Sequence, residues 1–178
     1  QTCALPICGV GEVVEYQANV IASVLAERLS GSYKMLHLPD GLSQDSLHML
    51  MTCEPQIKEI GDLISRTDVL LFGIGTAMRM ADQRHIADDV RKQLVDNHAV
   101  GEALGQYCDI EGKLIYSTNN IGLSLPDVVK VPNVIAVAGG QEKASAIIGV
   151  MRACQKGILI IDEQAAEGMR QLLQISAL

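Results

Sequence analysis

Two glycine turns follow apolar segments of the chain and could bind a phosphate group. Gly73-Ile-Gly75 follows Val69–Phe72, and Gly139-Gly140 follows Val134–Ala138. In an open parallel sheet, turns at the strand ends expose backbone N–H groups beside helix N-termini, whose partial positive charge favours anions. Neither turn is a known nucleotide fingerprint, because the first lacks the third glycine of GxGxxG and the chain has no GxxxxGK[ST]. An ordinary tight turn therefore remains the alternative at both places.

A lysine stands three residues beyond the second turn. Lys143 is at the predicted start of a helix that extends to Arg152. A cation at a helix N-terminus opposes the helix dipole, so this position is better explained if an anion binds there. The alternative is a lysine that only faces solvent. The glycine turns and Lys143 together predict a cradle for a phosphoryl group.

Three further polar residues could contact the rest of a ligand. Glu102 lies among small and apolar residues and could accept hydrogen bonds from sugar hydroxyls; an exposed glutamate on a helix surface is the alternative. Arg84 follows the helical stretch Ala77–Gln83 and is a candidate second phosphate ligand, because its planar guanidinium matches phosphate geometry. An ordinary surface arginine is the alternative. Gln17, about one turn into the first predicted helix, could reach a ligand hydroxyl.

A pair of acidic residues, Asp162-Glu163, follows the apolar segment Ile158–Ile161. It could be a catalytic pair, but acidic residues in the first turn of a helix are more often caps. The four histidines have no metal-binding spacing, and no serine lies in a GxSxG element. We therefore predict no catalytic residue, no metal site and no cofactor.

The composition restricts the function classes. The 178 residues are 48% apolar, which is enough for one sizeable core. The formal net charge of −7, from 14 basic and 21 acidic side chains, indicates a segment that does not bind nucleic acid by itself. The apolar runs are far shorter than the roughly 20 residues that span a bilayer, and no secretory signal opens the chain. Five scattered cysteines are typical of free thiols, so we expect a cytoplasmic protein without membrane contact.

Apolar segments alternate with helical patterns along the chain. Helices are predicted over 12–29, 43–51, 55–65 and after each glycine turn, and strands over 33–38, 68–72, 134–138 and 158–161. This alternation predicts an α/β fold, a Rossmann-like parallel sheet with helices on both faces. Gly105–Tyr116 alternates around a turn at Glu111-Gly112 and predicts a β-hairpin excursion.

Five motifs occur in order between Gly9 and Leu173: Gly9-Val-Gly-Glu12 with Gln17-Ala-Asn19, Leu71-Phe-Gly-Ile-Gly75, Ala99-Val-Gly-Glu-Ala-Leu-Gly105, Pro132-Asn-Val-Ile-Ala-Val-Ala-Gly-Gly140 with Lys143-Ala144, and Ile161-Asp-Glu163. Together they resemble the effector-binding domain of the SorC family of bacterial transcriptional regulators. The Val-Ala-Gly-Gly-x-x-Lys-Ala element is the most specific part of the resemblance.

The resemblance implies a fold related to phosphosugar isomerases and glucosamine-phosphate deaminases, an upstream helix-turn-helix segment that reads DNA, and assembly into homodimers or homotetramers. It also implies that Gln17, Arg84, Glu102 and Lys143 contact the ligand, with Lys143 on a phosphate and Glu102 on hydroxyls. The implied ligand is a phosphorylated sugar, such as fructose 1,6-bisphosphate or a triose phosphate. Its binding would change subunit packing and thereby the affinity of the regulator for DNA.

The chain also departs from the family pattern. Residues 1–8 are expected to be a doubtful or non-native stretch, and 9–178 an incomplete effector-binding domain, because a Gly-Gly-Thr-Thr phosphate loop and the DNA-binding domain would lie upstream. Ile7 or Cys8 stands where the family has an arginine, and Gln83 replaces a second basic residue. The chain is therefore expected to bind its ligand poorly.

Two alternatives stay open. The first is an enzyme of the same architecture, a phosphosugar isomerase or deaminase in which Glu102 or Asp162 abstracts a proton while Lys143 holds the phosphate. The second is an oligomerisation domain with a vestigial pocket.

Overall fold

The structure is a computed structural model and describes residues 18–35 and 42–174, together with the strand Cys3–Ala4. It divides into two compact units, Gln1–Arg66 with Thr118–Leu123 and Thr67–Ser117 with Ser124–Leu178. The assignment of residues 9–178 to one effector-binding domain stays a prediction.

The first unit contains a two-stranded parallel sheet and three helices. Its elements are β1 (Cys3–Ala4), α1 (Ala18–Arg28), β2 (Ser32–Tyr33), α2 (Gln44–Cys53) and α3 (Pro55–Ile64). The hydroxyl of Ser43 accepts a hydrogen bond from the backbone N–H of Ser46 and caps α2. Pro55 occupies the first turn of α3, where its missing N–H costs nothing. The helices predicted over 43–51 and 55–65 are thus confirmed, and the start of the first helix lies outside the described residues.

The second unit contains the remaining elements. In chain order they are β3 (Val69–Gly73), β4 (Gly75–Thr76), α4 (Ala77–Gln83), α5 (Asp88–Asp96), β5 (Gly101–Ala103), β6 (Gln106–Cys108), β7 (Leu114–Ser117), β8 (Asn133–Ala138), α6 (Ala144–Cys154), β9 (Ile158–Ile161) and α7 (Glu163–Leu172). Two 3₁₀ turns, Leu125–Lys130 and Gln141–Lys143, precede β8 and α6.

The three apolar segments form the predicted parallel sheet, in the order β3-β8-β9. Along each strand, successive side chains point to opposite faces. One face is buried and includes Leu70, Phe72, Val134 and Ala136. The other carries exposed apolar side chains, including Val69, Leu71, Val137, Ile158 and Ile160. The parallel sheet and its alternation with helices are confirmed, whereas among the described residues only one of its faces is buried. Apolar residues on both faces of a strand predict that both faces are covered. They do not show which segment of the chain covers each face.

The second sheet is antiparallel and has the order β4-β5-β6-β7. It contains the predicted hairpin, in which β6 pairs with β7. The turn is held by Asp109, whose Oδ1 accepts hydrogen bonds from the backbone N–H groups of Glu111 and Lys113, and Gly112 supplies a positive φ of 84°. The side chain of Gln106 is buried, and its Oε1 accepts a hydrogen bond from Leu125 N at 2.8 Å.

Helices pack on this second sheet. A buried cluster of Ala77, Ala81, Leu94 and Tyr107 joins α4 and α5 to β6. On α6, seven of eleven residues are buried, which makes it the central helix of the unit. Gly101 allows close approach of α6 to β5, because a Cβ there would lie 2.8 Å from the carbonyl oxygen of Ala146. The elements on both sides of the glycine turns are therefore firmly packed.

Candidate functional site

Both predicted glycine turns lie at the same edge of the parallel sheet. Gly73 pairs with Val137 across β3 and β8, and Ile74 N donates a hydrogen bond to Val137 O at 3.2 Å. Gly139 and Gly140 follow β8 directly, so the turns after β3 and β8 are neighbours. The C-terminal edge of a parallel sheet is where open α/β folds bind ligands. The first turn continues into β4, which lies beside the 3₁₀ turn Gln141–Lys143.

Lys143 is the residue immediately before α6, as its spacing predicts. Its backbone N donates to Gly140 O at 3.1 Å, which closes the 3₁₀ turn at the end of β8. The side chain is half-buried, and among the described residues its amine has no hydrogen-bond or ion-pair partner. A lysine at a helix N-terminus that forms no ion pair leaves its amine available to an anion, which the helix dipole also favours.

Two carboxylates also lie at the second glycine turn. Asp162 accepts a hydrogen bond from Gly140 N, at 3.1 Å to Oδ1 and 2.9 Å to Oδ2, and another from Ala165 N at 2.8 Å. A Cβ on Gly140 would lie 2.5 Å from both carboxylate oxygens of Glu142. The N–H of Gly140 therefore already binds an anionic group, and a phosphate must compete with it. The capping interpretation of Asp162 is confirmed, because its side chain caps α7.

Glu102 is a buried residue of β5, so the alternative prediction of an exposed glutamate on a helix surface is wrong. Its Cα partner across β4 and β5 is Gly75, and its side chain is 4% exposed. Oε1 accepts hydrogen bonds from Gly105 N at 2.7 Å and from Nη2 of Arg84 at 3.3 Å. A Cβ built on Gly75 would lie 3.9 Å from Oε2 of Glu102. The carboxylate thus lies next to the first glycine turn.

Arg84 directly follows α4, as predicted, but it is not a surface arginine. Its side chain is 6% exposed and forms an ion pair with Glu102. A buried ion pair of this kind fixes both side chains. The structure therefore brings Gly73, Gly75, Gly139, Gly140 and Lys143 to one edge of the sheet, and it brings Glu102 to Gly75 and Arg84 to Glu102. Gln17 lies outside the described residues.

Sequence reasoning missed the contact between Asp162 and Gly140. The local sequence around each residue gives no sign of this contact, although both residues directly follow strands that are neighbours in the sheet. The strand order supplies the signal, because residues that follow adjacent parallel strands meet at one edge.

A shallow cleft of about 470 Å³ lies elsewhere on the second unit. It is at the C-terminal end of α6, whereas Lys143 is at the N-terminal end, and it is lined by Glu111, Gly112, Lys113, Pro126, Val129, Arg152, Ala153 and Gln155. Within the described ranges, no cluster of His, Cys, Asp or Glu has the geometry of a metal site. None of the helices in the described part of the chain is long and apolar enough to cross a bilayer.

Two cysteines of the second unit are buried free thiols, and Cys53 of the first unit is an exposed one. Burial, together with the smaller effects of the nearby Asp109, Cys154 and Glu102, raises the pKa of the Cys108 thiol to about 12. Burial also raises the pKa of Cys154 to about 11. Thiols with such pKa values are protonated and unreactive. Cys3 and Cys8 lie where no side chain is described.

Known proteins provide an independent comparison. The family model described as "Putative sugar-binding domain" matches residues 5–171. The central glycolytic genes regulators of Bacillus subtilis and Priestia megaterium are 38% and 39% identical over 159 residues, which is 89% of this chain and 46% of each relative. The chain thus spans less than half the length of these relatives.

A solved structure agrees with the sequence relatives. A protein from Enterococcus faecalis assigned to the SorC family of transcriptional regulators is 38% identical, with a TM-score of 0.83 over 94% of this chain and 68% of that one. The resemblance seen in the motifs is thereby confirmed, whereas the expected relation to phosphosugar isomerases and deaminases stays a prediction. The chain belongs to the family of sugar-binding domains found in SorC-type transcriptional regulators.

Proposed function

We propose that this chain is the ligand-sensing part of a transcriptional regulator and binds a phosphorylated sugar at the strand ends of the second unit. Lys143 and the two glycine turns would bind the phosphate, which would displace Asp162 from the N–H of Gly140, and Glu102 would accept hydrogen bonds from sugar hydroxyls. The relatives named as central glycolytic genes regulators support a glycolytic intermediate, such as fructose 1,6-bisphosphate or a triose phosphate, as the ligand.

The observation that carries this proposal is the position of Lys143. Its amine stands at the N-terminus of an eleven-residue helix, beside a glycine turn, and forms no ion pair among the described residues, although the Asp162 and Glu142 carboxylates lie at the same turn. Such a site favours a dianionic phosphate, because the lysine charge and the helix dipole act in the same direction. The prediction that Gln17 also contacts the ligand belongs to the same proposal, whereas the predicted contact of Arg84 with the ligand is revised below because Arg84 is paired with Glu102.

The proposal extends to the whole regulator. Ligand binding would favour one subunit arrangement over another, in a homodimer or homotetramer, and so alter how a separate domain binds DNA in the cytoplasm. A sensor, not an enzyme, is supported by the relatives, which are named as regulators. The polar groups at the site also have assigned structural roles: Asp162 caps a helix, and Glu102 is bound to Arg84 and Gly105.

The decisive experiment is a titration of the 178-residue chain with fructose 1,6-bisphosphate and, separately, with inorganic phosphate, followed by NMR so that weak binding is measurable. Lys143→Met should lower the affinity for both ligands by about 10- to 100-fold, since a charge-assisted hydrogen bond contributes about 1.5–3 kcal/mol. Lys92→Met is the matched control. Lys92 is exposed on α5, and its substitution removes the same charge from the same unit. No binding by the unmodified chain, or equal binding by Lys143→Met and the control, would contradict the proposal.

A further inference from the structure

The side chain of Arg84 is turned towards the protein interior. Arg84 follows the last residue of α4, and its backbone N donates to Met80 O at 3.0 Å. Its guanidinium is directed at Glu102, with 3.3 Å between Nη2 and Oε1, and both side chains are almost fully buried. A charge-assisted hydrogen bond between two buried groups holds each in one orientation. Arg84 therefore fixes the conformation of Glu102.

A second donor acts on the same carboxylate oxygen. Gly105 N lies 2.7 Å from Oε1 of Glu102, and Leu104 and Gly105, with φ values of 55° and 78°, form the tight turn between β5 and β6. Donors from two separate elements, the end of α4 and the β5–β6 turn, thus converge on Oε1. The other oxygen, Oε2, is the one next to Gly75.

We infer that Arg84 is a positioning residue, which acts on the ligand through Glu102 and not by binding phosphate. By holding Oε1, it keeps Oε2 directed at the first glycine turn, where a sugar hydroxyl would be recognised. This inference rests on the proposed function of the site. Without Arg84, the buried carboxylate of Glu102 loses the ion pair that holds Oε1, so it can rotate away from the first glycine turn.

The positioning role has a readout that needs no ligand. In the 178-residue chain, the backbone amide of Gly105 reports on Oε1 of Glu102 by its NMR resonance, because a short hydrogen bond to a carboxylate shifts the amide proton strongly. Arg84→Gln should move this resonance in the same direction as Glu102→Gln. Arg84→Lys, which keeps the charge, should restore part of the shift. The control is Arg79→Gln, since Arg79 is an exposed arginine of α4, the helix that ends directly before Arg84.

Binding of two probes separates positioning from phosphate contact. Arg84→Gln and Glu102→Gln should each weaken the binding of fructose 1,6-bisphosphate by about tenfold or more. The double variant should bind no more weakly than either single variant, because both changes remove the same interaction. The affinity for inorganic phosphate should not change. Equal losses for both probes in Arg84→Gln would overturn the inference and make Arg84 a direct phosphate ligand.

The two proposals fail in different ways. If the unmodified chain binds neither probe, the proposed function is wrong, whereas the Gly105 resonance still decides whether Arg84 positions Glu102. An unchanged Gly105 resonance in Arg84→Gln would overturn the inference, even if fructose 1,6-bisphosphate binds as proposed.

Discussion

The carboxylate of Asp162 lies 2.9 Å from the backbone nitrogen of Gly140 and accepts its hydrogen bond. The same carboxylate accepts a hydrogen bond from Ala165 N in the first turn of α7. Asp162 thus connects the glycine turn after β8 with the helix after β9. Any anion that binds Gly140 N competes with a side chain on which α7 depends.

The cap of α7 should be sensitive to truncation of Asp162. Asp162→Ala removes the acceptor for Ala165 N and for Gly140 N, and loss of such a cap costs about 0.5–2 kcal/mol of unfolding free energy. Urea denaturation followed by circular dichroism measures this loss. Glu163→Ala is the control, because Glu163 is exposed in the same turn and is not the cap. Equal losses for the two variants would show that the Asp162 hydrogen bonds contribute nothing specific.

Removal of the charge alone should favour anion binding. Asp162→Asn keeps a side-chain oxygen that can cap α7 but lacks the negative charge next to Gly140. Inorganic phosphate should therefore bind this variant several-fold more tightly than the unmodified chain, because like-charge repulsion has been removed. The amide resonance of Gly140 measures the affinity during an NMR titration. Weaker phosphate binding by Asp162→Asn would mean that the carboxylate organises the turn for its ligand and does not compete with it.

The two glycine turns should respond differently to a methyl group. Gly140 has a φ of 96°, and a Cβ there would meet the Glu142 carboxylate, so Gly140→Ala should destabilise the chain by about 1 kcal/mol or more. At Gly73 the nearest heavy atom to a new Cβ is Val137 O at 3.9 Å, which is ordinary contact distance. Gly73→Ala should therefore leave the midpoint of urea denaturation almost unchanged. The reverse order of stabilities would contradict the conformation assigned to the second turn.

The sequence predicts the parts of this fold that depend on local pattern. The hairpin around Glu111-Gly112 is correct because an aspartate, a glycine with positive φ and alternating residues act within a few positions of one another. The three apolar strands are also correct, since each is a short continuous apolar run with a clear stop, which is a glycine after the first two and Asp162 after the third. Both kinds of signal are contained in one short segment of chain.

Glu102 shows where local pattern is insufficient. Its segment has no clear period, so the residues alone favour an exposed position on a helix surface, whereas the structure places Glu102 in a buried strand. The burial of its charge depends on Arg84, which is eighteen positions away and adjoins Glu102 only after α4 and the second sheet have packed. The site likewise depends on strand order, because Asp162 and Gly140 meet only when β8 and β9 are neighbours.

The thiols of Cys108 and Cys154 should be unreactive in the folded chain. Both are buried and have raised pKa values, whereas Cys53 is exposed. At about pH 8, iodoacetamide should alkylate Cys53 readily and the two buried thiols only after denaturation, because the reagent needs both access and a thiolate. Mass spectrometry of the peptides distinguishes the three sites. Rapid labelling of Cys154 in the native chain would contradict the burial of its side chain.

The same raised pKa values make stability depend on alkaline pH. In the unfolded chain a thiol ionises near its ordinary value of 9.0, whereas folding raises the pKa of Cys154 to about 11 and that of Cys108 to about 12. Above pH 9 the folded state therefore holds more protons than the unfolded state, and the unfolding free energy falls as pH rises towards the folded pKa values. Each thiol contributes at most about 1.4 kcal/mol per pH unit to this slope. Urea denaturation of Cys154→Ala between about pH 9 and 11 should show a shallower fall than the unmodified chain. An identical slope would mean that Cys154 ionises equally easily in both states.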